Sequence, residues 1–383
     1  MKFKRQAYVF GAAGSAALLA PVLAAPPAHA VQAAPSRSQP ERSSANICAP
    51  KSAAPTPSTR LLPQAIKHLS DGGNLYIYQV GAHQLEFPVP PAGFNSLRAS
   101  TAELAQYGLP PQPSNPQARA EWNRLAGALS GHVRAPSLSV RAALPNAFTR
   151  SFKPPTPAVA FSEVDSNNWT GYVSEEGQSN YYTNVQATWT QPSIGSTSCS
   201  NATHSTWVGI GGYIGSNQLL QAGTDQNNQA WFEYLGPSGS VPQQIFPNNI
   251  TINSGDSVLA GTAYTPNQAW FLVQDQTTGE STMAGVSGAS PFYDGSSVEF
   301  IDERTEPCNN CTPNPLADYS TTSWAGAEAA TGNGYKNPAS TLPGLQYLNM
   351  YNQNSNSYDL LASVSGGSNS SPDAFQTMWK NCS

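Results

Sequence analysis

Two glutamates stand in runs of residues that otherwise belong in a packed β-sheet. Glu233 lies in the run Ala-Trp-Phe-Glu-Tyr, and Glu299 lies in Ser-Val-Glu-Phe-Ile-Asp. Aromatic and β-branched residues at this density predict a strand in each run. A carboxyl group on a packed face costs free energy unless it is paired or used in chemistry. Glu233 and Glu299 are therefore the first candidates for catalytic residues.

A glutamine, Gln221, stands in a third run of this kind, Leu-Leu-Gln-Ala-Gly. The stretch before it, Ser-Thr-Trp-Val-Gly-Ile-Gly-Gly from Ser205, predicts a strand that leads through a tight glycine turn into the strand of Gln221. The two runs therefore predict a hairpin that carries one amide side chain.

Alternation of side chains along each strand decides which of these groups can meet. If Val298 and Phe300 face the core between two sheets, Glu299 faces outward into the groove of a curved sheet. The pattern permits one concave surface lined by the following side chains: Gln221, Glu233 and Glu299, with Trp207 and Trp231 as its floor.

The order of these runs resembles a known family. The set Trp-Val-Gly-Ile-x-Gly, Leu-Gln-x-Gly, Trp-Phe-Glu-Tyr and Val-Glu-Phe-Ile is similar to the glutamic peptidases, also called eqolisins, of the scytalidoglutamic peptidase type. Trp-Thr-Gly at residues 169–171 resembles the start of the mature enzyme. The resemblance covers roughly the C-terminal 200 residues, about one domain. It implies a secreted endopeptidase that is made as a proenzyme.

The resemblance assigns the catalytic pair to Glu299 and Gln221. Glu299 would be the general base that takes a proton from water and returns it to the leaving amine. Gln221 would donate its amide hydrogens to the oxyanion. Glutamine does not titrate, whereas a histidine base would be protonated in acid. The pair therefore suits an acid-acting enzyme that needs no metal or cofactor, with Trp207, Trp231 and Glu233 in its substrate groove.

Two positions depart from the family pattern. The family carries an aspartate in Trp-Val-Gly-Ile-Asp-Gly, where this chain has Gly211. It carries another four residues before the glutamate of its Trp-x-Glu run, where this chain has Gln229. Because these two acids are absent, we expect a change in the pKa of Glu299 and in the pH at which the enzyme is most active.

The chain opens with the features of a secretory signal. Lys2, Lys4 and Arg5 precede an alanine-rich apolar core, and Ala-His-Ala ends at Ala30. The apolar run is too short for a good membrane anchor. We therefore expect residues 1–30 to be a signal peptide and the protein to be extracellular, without membrane contact.

Charge separates the rest of the chain into two parts. Residues 31–160 carry 12 basic and 5 acidic residues, whereas residues 161–383 carry 3 basic and 18 acidic ones. A basic segment that ends in the proline-rich linker 151–160 predicts a propeptide that inhibits its own acidic peptidase domain. A small accessory domain is the alternative. The acidic domain is a poor ligand for nucleic acid, and we expect a monomer that acts on proteins or peptides.

The fold class follows from residues 161–383, where short runs rich in Val, Thr, Trp, Tyr and Phe alternate with Gly, Asn, Ser and Pro. This density of strands predicts an all-β, antiparallel sandwich, and the resemblance implies a concanavalin-like jelly roll. Before this domain we predict a strand over 74–80 and a helix over 117–129. The strands predicted within it are 169–173, 184–190, 206–210, 218–222, 229–235, 249–252, 257–264, 269–273, 281–286, 297–302, 319–324, 345–351 and 358–364.

Four cysteines lie in the acidic part, and secretion favours disulfides. Cys308 and Cys311 could close a short bridge like the small disulfide loop of the resembled family, which would leave Cys199 to pair with Cys382. A zinc site is the alternative, although the sequence has only one Cys-x-x-Cys.

Three other functions compete with the peptidase interpretation. A serine or cysteine nucleophile, such as Cys199, would need His204, the one histidine of the acidic part. A glycoside hydrolase would use Glu233 and Glu299 as paired carboxylates. A carbohydrate-binding sandwich would use the aromatic surface without catalysis. The substitution Gln221→Glu distinguishes the two hydrolases, because it would cripple the peptidase and leave the glycosidase largely active.

Overall fold

The structure of the chain is a computed structural model. It describes residues 59–107, 109, 111–112, 114, 116–127, 132–142, 162–176, 181–196, 199–213, 218–236, 243–265, 268–305, 312–331, 336–354, 357–366 and 373–382. The chain divides into two units, and every described residue lies in the second, Ser52–Ser383. The predicted signal peptide, the linker 151–160 and the pair Cys308 and Cys311 lie outside the described residues.

Residues 59–142, which we call the N-terminal segment, contain both strands and helices. Their described elements are β1 (Thr59–Leu61), β2 (Ala65–His68), β3 (Asn74–Val80), β4 (His83–Val89), α1 (Thr101–Gln106), α2 (Pro116–Gly127), β5 (His132–Val133) and β6 (Leu138–Ala142). The strand predicted over 74–80 is confirmed as β3. The predicted helix is confirmed as α2, which begins at a proline because the fixed φ of proline suits the first helical position.

The described residues from 162 onward are almost entirely strands. They are β7 (Ser162–Ser166), β8 (Trp169–Glu175), β9 (Tyr182–Thr190), β10 (Ser205–Gly211), β11 (Leu219–Asp225), β12 (Ala230–Leu235), β13 (Gln243–Pro247), β14 (Ser257–Thr265), β15 (Gln268–Asp275), β16 (Glu280–Ser287), β17 (Ser297–Glu303), β18 (Thr321–Thr331), β19 (Lys336–Pro338), β20 (Leu345–Asn354), β21 (Ser357–Ser365) and β22 (Phe375–Trp379). Short 3₁₀ turns cover Ser290–Phe292 and Ala339–Thr341.

Two runs of antiparallel strands form the sandwich. The first, which we call the site sheet, has the order β13, β12, β11, β10, β17, β8 and β20. The second, the opposite sheet, has the order β18, β9, β14, β15 and β16. Strands β21 and β22 pair between β20 and β18 and so connect the two sheets at one side.

The two sheets pack face to face through an apolar core. The rings of Phe232 in the site sheet and Phe271 in the opposite sheet lie 5.7 Å apart between centroids. The same buried cluster contains Val208, Ile210, Leu220, Ala222, Phe300, Val185, Val258, Val273 and Val286. This arrangement confirms the predicted antiparallel β-sandwich.

The N-terminal segment extends both sheets. Strand β6 pairs with β13 at the edge of the site sheet, and β4 pairs with β16 at the edge of the opposite sheet. Its apolar side chains belong to the same buried cluster as the sandwich core, and they include Tyr78, Val80, Leu85, Phe87, Leu138 and Val140. An unpaired sheet edge is a site for pairing with other chains, so the segment protects the two edges that it covers.

A disulfide joins Cys199 to Cys382, which confirms that predicted pair. It connects the residues before β10 to the residues after β22, the last strand described. Among the described residues, no helix is long and apolar enough to cross a membrane.

Candidate active site

Strand pairing brings three of the predicted residues into one row across the site sheet. Gln221 of β11 lies opposite Glu233 of β12 on one side and opposite Gly209 of β10 on the other. Gly209 in turn lies opposite Glu299 of β17. Gln221 and Glu299 are therefore two strands apart, which places their Cα atoms about 10 Å from each other.

Gly209 lets other side chains pack closely over the strand that separates Gln221 from Glu299. A Cβ atom at this position would lie 2.8 Å from Cζ3 of Trp207, 3.0 Å from Cδ1 of Leu219 and 3.2 Å from Oε2 of Glu299. The carboxyl group of Glu299 therefore leans over the glycine. Any larger residue at position 209 would displace Trp207, Leu219 or Glu299.

The amide of Gln221 is held by Glu233. Its Nε2 atom donates a hydrogen bond to Oε2 of Glu233 at 2.7 Å. An amide nitrogen carries two hydrogens, so the second remains for another acceptor. The Oε1 atom of Gln221 is buried and has no hydrogen-bond partner.

Glu299 is buried without a hydrogen-bond partner. Its exposed fraction is 0%, and neither of its carboxyl oxygens makes a hydrogen bond. Desolvation raises the pKa of this carboxyl group well above its ordinary value. The charges of Asp294 and Glu175 raise it as well, whereas the nearby hydroxyl of Ser297 lowers it without reaching hydrogen-bond geometry. Such a group gains from any polar partner that enters the site.

Glu233 is the second buried acid of the row. Desolvation raises its pKa well above the ordinary value, the charge of Glu303 raises it further, and the hydrogen bond from Gln221 lowers it. Two buried acids with raised pKa values in one row of a sheet indicate a candidate functional site.

Sequence comparison decides the family. The model of the peptidase A4 family matches residues 167–371, which is more than half of the chain. The chain belongs to the peptidase A4 family. It is a glutamic endopeptidase, and its substrates are proteins or peptides. This result confirms the resemblance and favours the peptidase over the glycosidase and the carbohydrate-binding module.

Solved structures of eqolisins are also similar to this peptidase. Scytalido-glutamic peptidase with a transition state analog inhibitor aligns over 56% of this chain and 98% of its own, at 23% identity and a TM-score of 0.45. SCP-B, a member of the eqolisin family in a complex with the tripeptide Ala-Ile-His, aligns over the same shares at 22% identity and a TM-score of 0.43. No curated protein sequence matches the chain.

The two predicted tryptophans lie in the peptidase on the same face as Glu299. Trp207 and Trp231 belong to a second buried cluster, on the side of the site sheet that faces away from the core. The Trp207 indole nitrogen donates to Oε2 of Glu303 at 2.8 Å. The ring of Trp169 meets that of Trp207 edge-on at 5.0 Å. Trp207 and Trp231 thus form part of a packed aromatic layer on this face, and their role as the floor of a substrate groove stays a prediction.

Sequence reasoning missed Glu303, although its signal was available. It lies four residues after Glu299 on β17 and therefore on the same face. Besides Trp207 it contacts Asn168, whose Nδ2 lies 3.3 Å from Oε1 of Glu303. It is an acid that anchors the aromatic layer and acts electrostatically on Glu233.

The structure also shows the surroundings of Gly211 and Gln229, the two positions that depart from the family pattern. Gly211 has a φ of +88°, and a Cβ there would lie 2.3 Å from the carbonyl oxygen of Gln218 and 3.1 Å from Oδ1 of Asp294. The backbone amide of Gln229 donates to Oδ1 of Asp225 at 3.0 Å within the β11–β12 turn. Position 211 therefore has no room for an acid, and a different acid lies beside it.

His204 and Cys199 are engaged elsewhere in the peptidase. Nε2 of His204 lies 2.8 Å from Oδ1 of Asp302, and its ring stacks on Tyr319 with centroids 4.3 Å apart. Asp302 is on the face of β17 opposite to Glu299. Because Cys199 is in a disulfide, a cysteine–histidine nucleophile is ruled out for this pair.

Proposed function

We propose that the chain is a secreted, acid-acting endopeptidase in which Glu299 and Gln221 are the catalytic residues. The observation that carries this proposal is the pair of buried polar groups on the two sides of Gly209. On one side of it stands a buried carboxyl group without a partner, and on the other an amide with one hydrogen still to donate. A peptide carbonyl and a water molecule supply the partners that these groups lack.

The reaction uses the two groups in turn. Glu299 accepts a proton from a water molecule, and the water oxygen attacks the carbonyl carbon of the scissile peptide. Negative charge then develops on the carbonyl oxygen, and the free hydrogen of Gln221 Nε2 stabilises it. As the carbon–nitrogen bond breaks, Glu299 returns its proton to the leaving nitrogen. The products are a carboxylic acid and an amine.

Glu233 has a supporting part in this proposal. Its hydrogen bond fixes the orientation of the Gln221 amide. Without that bond the amide can rotate and present its oxygen to the oxyanion, which would repel it. Trp207 and Trp231 form the apolar wall of the substrate groove.

The stability of the fold in acid is supported by the same buried carboxyl groups, because the raised pKa values of Glu233 and Glu299 make their burial least costly there. Glu299 has to ionise before it can act as a base, and a water molecule that enters the site and donates a hydrogen bond to it favours the ionised form. Charge repulsion within a domain that has 18 acidic and 3 basic residues also weakens as its carboxylates are protonated. Gln221 remains a hydrogen-bond donor at every pH.

We further propose that the N-terminal segment is a propeptide that inhibits the groove until it is removed. It ends at Ala142 beside β13, and the next described residue, Ser162, begins β7 beside β20. These two positions flank the row that contains Gln221 and Glu299, and both residues are buried in the unprocessed chain. Its docking is largely apolar, since its side chains share the sandwich core.

Acid also weakens one contact of this docking. The ring of His83 in β4 packs edge-on against Phe292, with centroids 4.7 Å apart, and burial lowers its pKa. A lowered pKa means that docking is strongest above the ordinary value of about 6.5 and weakens as the pH falls through it. This direction favours release of the segment in acid.

Hydrolysis of a denatured protein by the acid-treated chain tests the function. We expect cleavage at acid pH that resists pepstatin and a chelator, a loss of at least about a thousandfold in Glu299→Gln, and a loss of about a hundred- to a thousandfold in Gln221→Ala. Gln221→Glu should be inactive on protein. Polysaccharide hydrolysis by that variant would instead support the glycosidase.

The same assay tests the inhibitor. At the acid pH where the processed enzyme is active, the intact chain should hydrolyse little substrate until it is processed. Full activity of the intact chain would contradict inhibition by the N-terminal segment, and an inactive processed enzyme would contradict the peptidase mechanism.

A further inference from the structure

Asp294 is a carboxylate that the catalytic proposal leaves unused. It lies between the 3₁₀ turn Ser290–Phe292 and β17, and it is half-buried. Its Oδ1 atom accepts hydrogen bonds from the backbone amide and the hydroxyl of Ser296, both at 2.9 Å. These two bonds fix the direction of the side chain toward β10.

Gly211 makes room for this carboxylate. A Cβ on Gly211 would lie 3.1 Å from Oδ1 of Asp294, and its left-handed φ of +88° disfavours any other residue. Asp294 therefore occupies the space beside position 211 that a side chain on β10 would otherwise take.

The same strand relates the positions of Asp294 and Glu299. A Cβ on Gly209 would lie 3.2 Å from Oε2 of Glu299. Positions 209 and 211 are two residues apart along β10, which is about 6.6 Å in a strand. The two carboxyl groups thus stand over neighbouring points of one strand, on the order of 7 Å apart.

We propose that Asp294, held over Gly211 by Ser296, acts through space on Glu299 and sets the pH at which the peptidase works. It is a positioning residue, because it touches neither the substrate nor the water. This inference rests on the proposed role of Glu299 as the general base. It also explains how a chain without an acid at position 211 keeps a carboxylate at this place in the groove.

The physical effect is repulsion between like charges. A carboxylate at Asp294 disfavours a second negative charge at Glu299, and it adds to the larger effect of desolvation on the pKa of Glu299. Among the described residues, no cation contacts Asp294 to cancel its charge. The other titratable groups around Glu299 are Glu175 from β8, Tyr182 from β9, Glu233 from β12 beyond Gln221, and Glu303 on β17 itself.

The test is the pH dependence of kcat/KM of the acid-processed enzyme with a peptide substrate. In the wild type, kcat/KM should rise with pH as Glu299 loses its proton. In Asp294→Asn this rise should move to lower pH by about 0.5 to 1.5, as expected for two charges about 7 Å apart near a protein surface. The plateau value should change less than about threefold, because Asp294 does not contact the reacting atoms.

Two variants serve as controls. Asp294→Glu keeps the charge and should keep the wild-type profile. Asp256→Asn removes a half-buried acid beside the opposite sheet and should not move the profile, while its asparagine can still accept from the Asn253 amide. If Asp294→Asn does not fold, Asp294→Ser provides the same measurement with a hydroxyl acceptor for Ser296.

Each outcome decides one claim. A profile of Asp294→Asn that superimposes on the wild type would overturn the inference, provided that Glu299→Gln is inactive. Activity in Glu299→Gln would overturn the proposed function itself. A shift toward higher pH in Asp294→Asn would also contradict the inference, since removal of a negative charge can only favour ionisation of Glu299.

Discussion

The inner and outer faces of the site sheet come from the same strands, and both are buried. On β17, Phe300 faces the core and Glu299 faces the groove, and each has an exposed fraction of 0%. The difference between the faces is in their polar atoms. The inner face is mainly apolar, although the hydroxyl of Tyr234 is a buried polar atom without a partner there. The outer face carries more such atoms, on Gln221, Trp231 and Glu299.

This comparison shows that burial alone does not separate a structural residue from a functional one. Unpaired polar atoms in a buried place cost folding free energy, and a row of them is a place where a bound substrate would complete the missing hydrogen bonds. The inner face should therefore control stability, and the outer face should control activity. The experiments below test that division, from the largest expected effect to the smallest.

The strongest test of the inner face is Phe300→Ala. Deleting a buried phenylalanine side chain leaves a cavity and should lower the free energy of unfolding by about 3–5 kcal/mol. At the adjacent position, Glu299→Gln should leave the free energy of unfolding unchanged or raise it, because the substitution removes a buried ionisable group. Urea unfolding measures both, in a Gln221→Ala background that prevents self-digestion. A Glu299→Gln variant as unstable as Phe300→Ala would break the division.

The sharpest test of the outer face is Gly209→Ala. The new methyl group would push on Trp207, Leu219 and Glu299, which already pack against Gly209. We expect kcat/KM to fall by about a hundredfold, because a displacement of about 1 Å in a catalytic group has an effect of that size. Gly261→Ala is the matched control, since it adds a methyl group at similarly close contact in the opposite sheet. Equal loss of activity in both variants would mean that the effect is on folding.

The smallest effect concerns the pH dependence of stability. Folding raises the pKa values of Glu233 and Glu299, so the folded chain holds these protons more tightly than the unfolded chain. Stability is then highest below the ordinary glutamate pKa and falls as the pH rises from about 4.5 toward the raised values. A pKa that is higher by one in the folded chain than in the unfolded chain changes the free energy of unfolding by about 1.4 kcal/mol.

The control for this pH dependence is the double variant Glu233→Gln and Glu299→Gln. It should unfold at a urea concentration that changes less with pH than that of the Gln221→Ala reference. If the urea midpoint of the double variant changes with pH as steeply as that of the reference between about pH 4.5 and 7, the buried acids do not control stability.

Local pattern allowed the sequence to predict the central strands of the site sheet. Strands β10, β12 and β17 lie within one or two residues of their predicted bounds, because each carries a strongly alternating or continuously apolar pattern. The three candidate site residues Gln221, Glu233 and Glu299 then followed from their place in those strands.

One predicted strand was wrong. Residues 249–252 are not a strand, and the chain instead forms β13 at Gln243–Pro247. Pro247, which has no backbone amide to donate, ends that strand. The side chains of Asn248 and Asn249 then accept from the Ser137 amide and donate to the Arg134 carbonyl oxygen. These partners lie in the N-terminal segment, far away in sequence.

Long-range contacts account for what else was missed. The pairing of β6 with β13 and of β4 with β16 joins residues that are more than 100 positions apart, and no local pattern specifies it. Asp294 could not be found from its strand because it lies in a turn. Only the backbone geometry at Gly211 shows which groove it faces.

The disulfide between Cys199 and Cys382 affects what happens when one copy of the enzyme cleaves another. An endopeptidase can cut neighbouring copies of itself, and a cut usually frees a fragment. Here the linked cysteines are 183 residues apart and enclose both Gln221 and Glu299. A single cut anywhere between them leaves one covalent molecule. The two pieces of the cleaved enzyme therefore cannot diffuse apart.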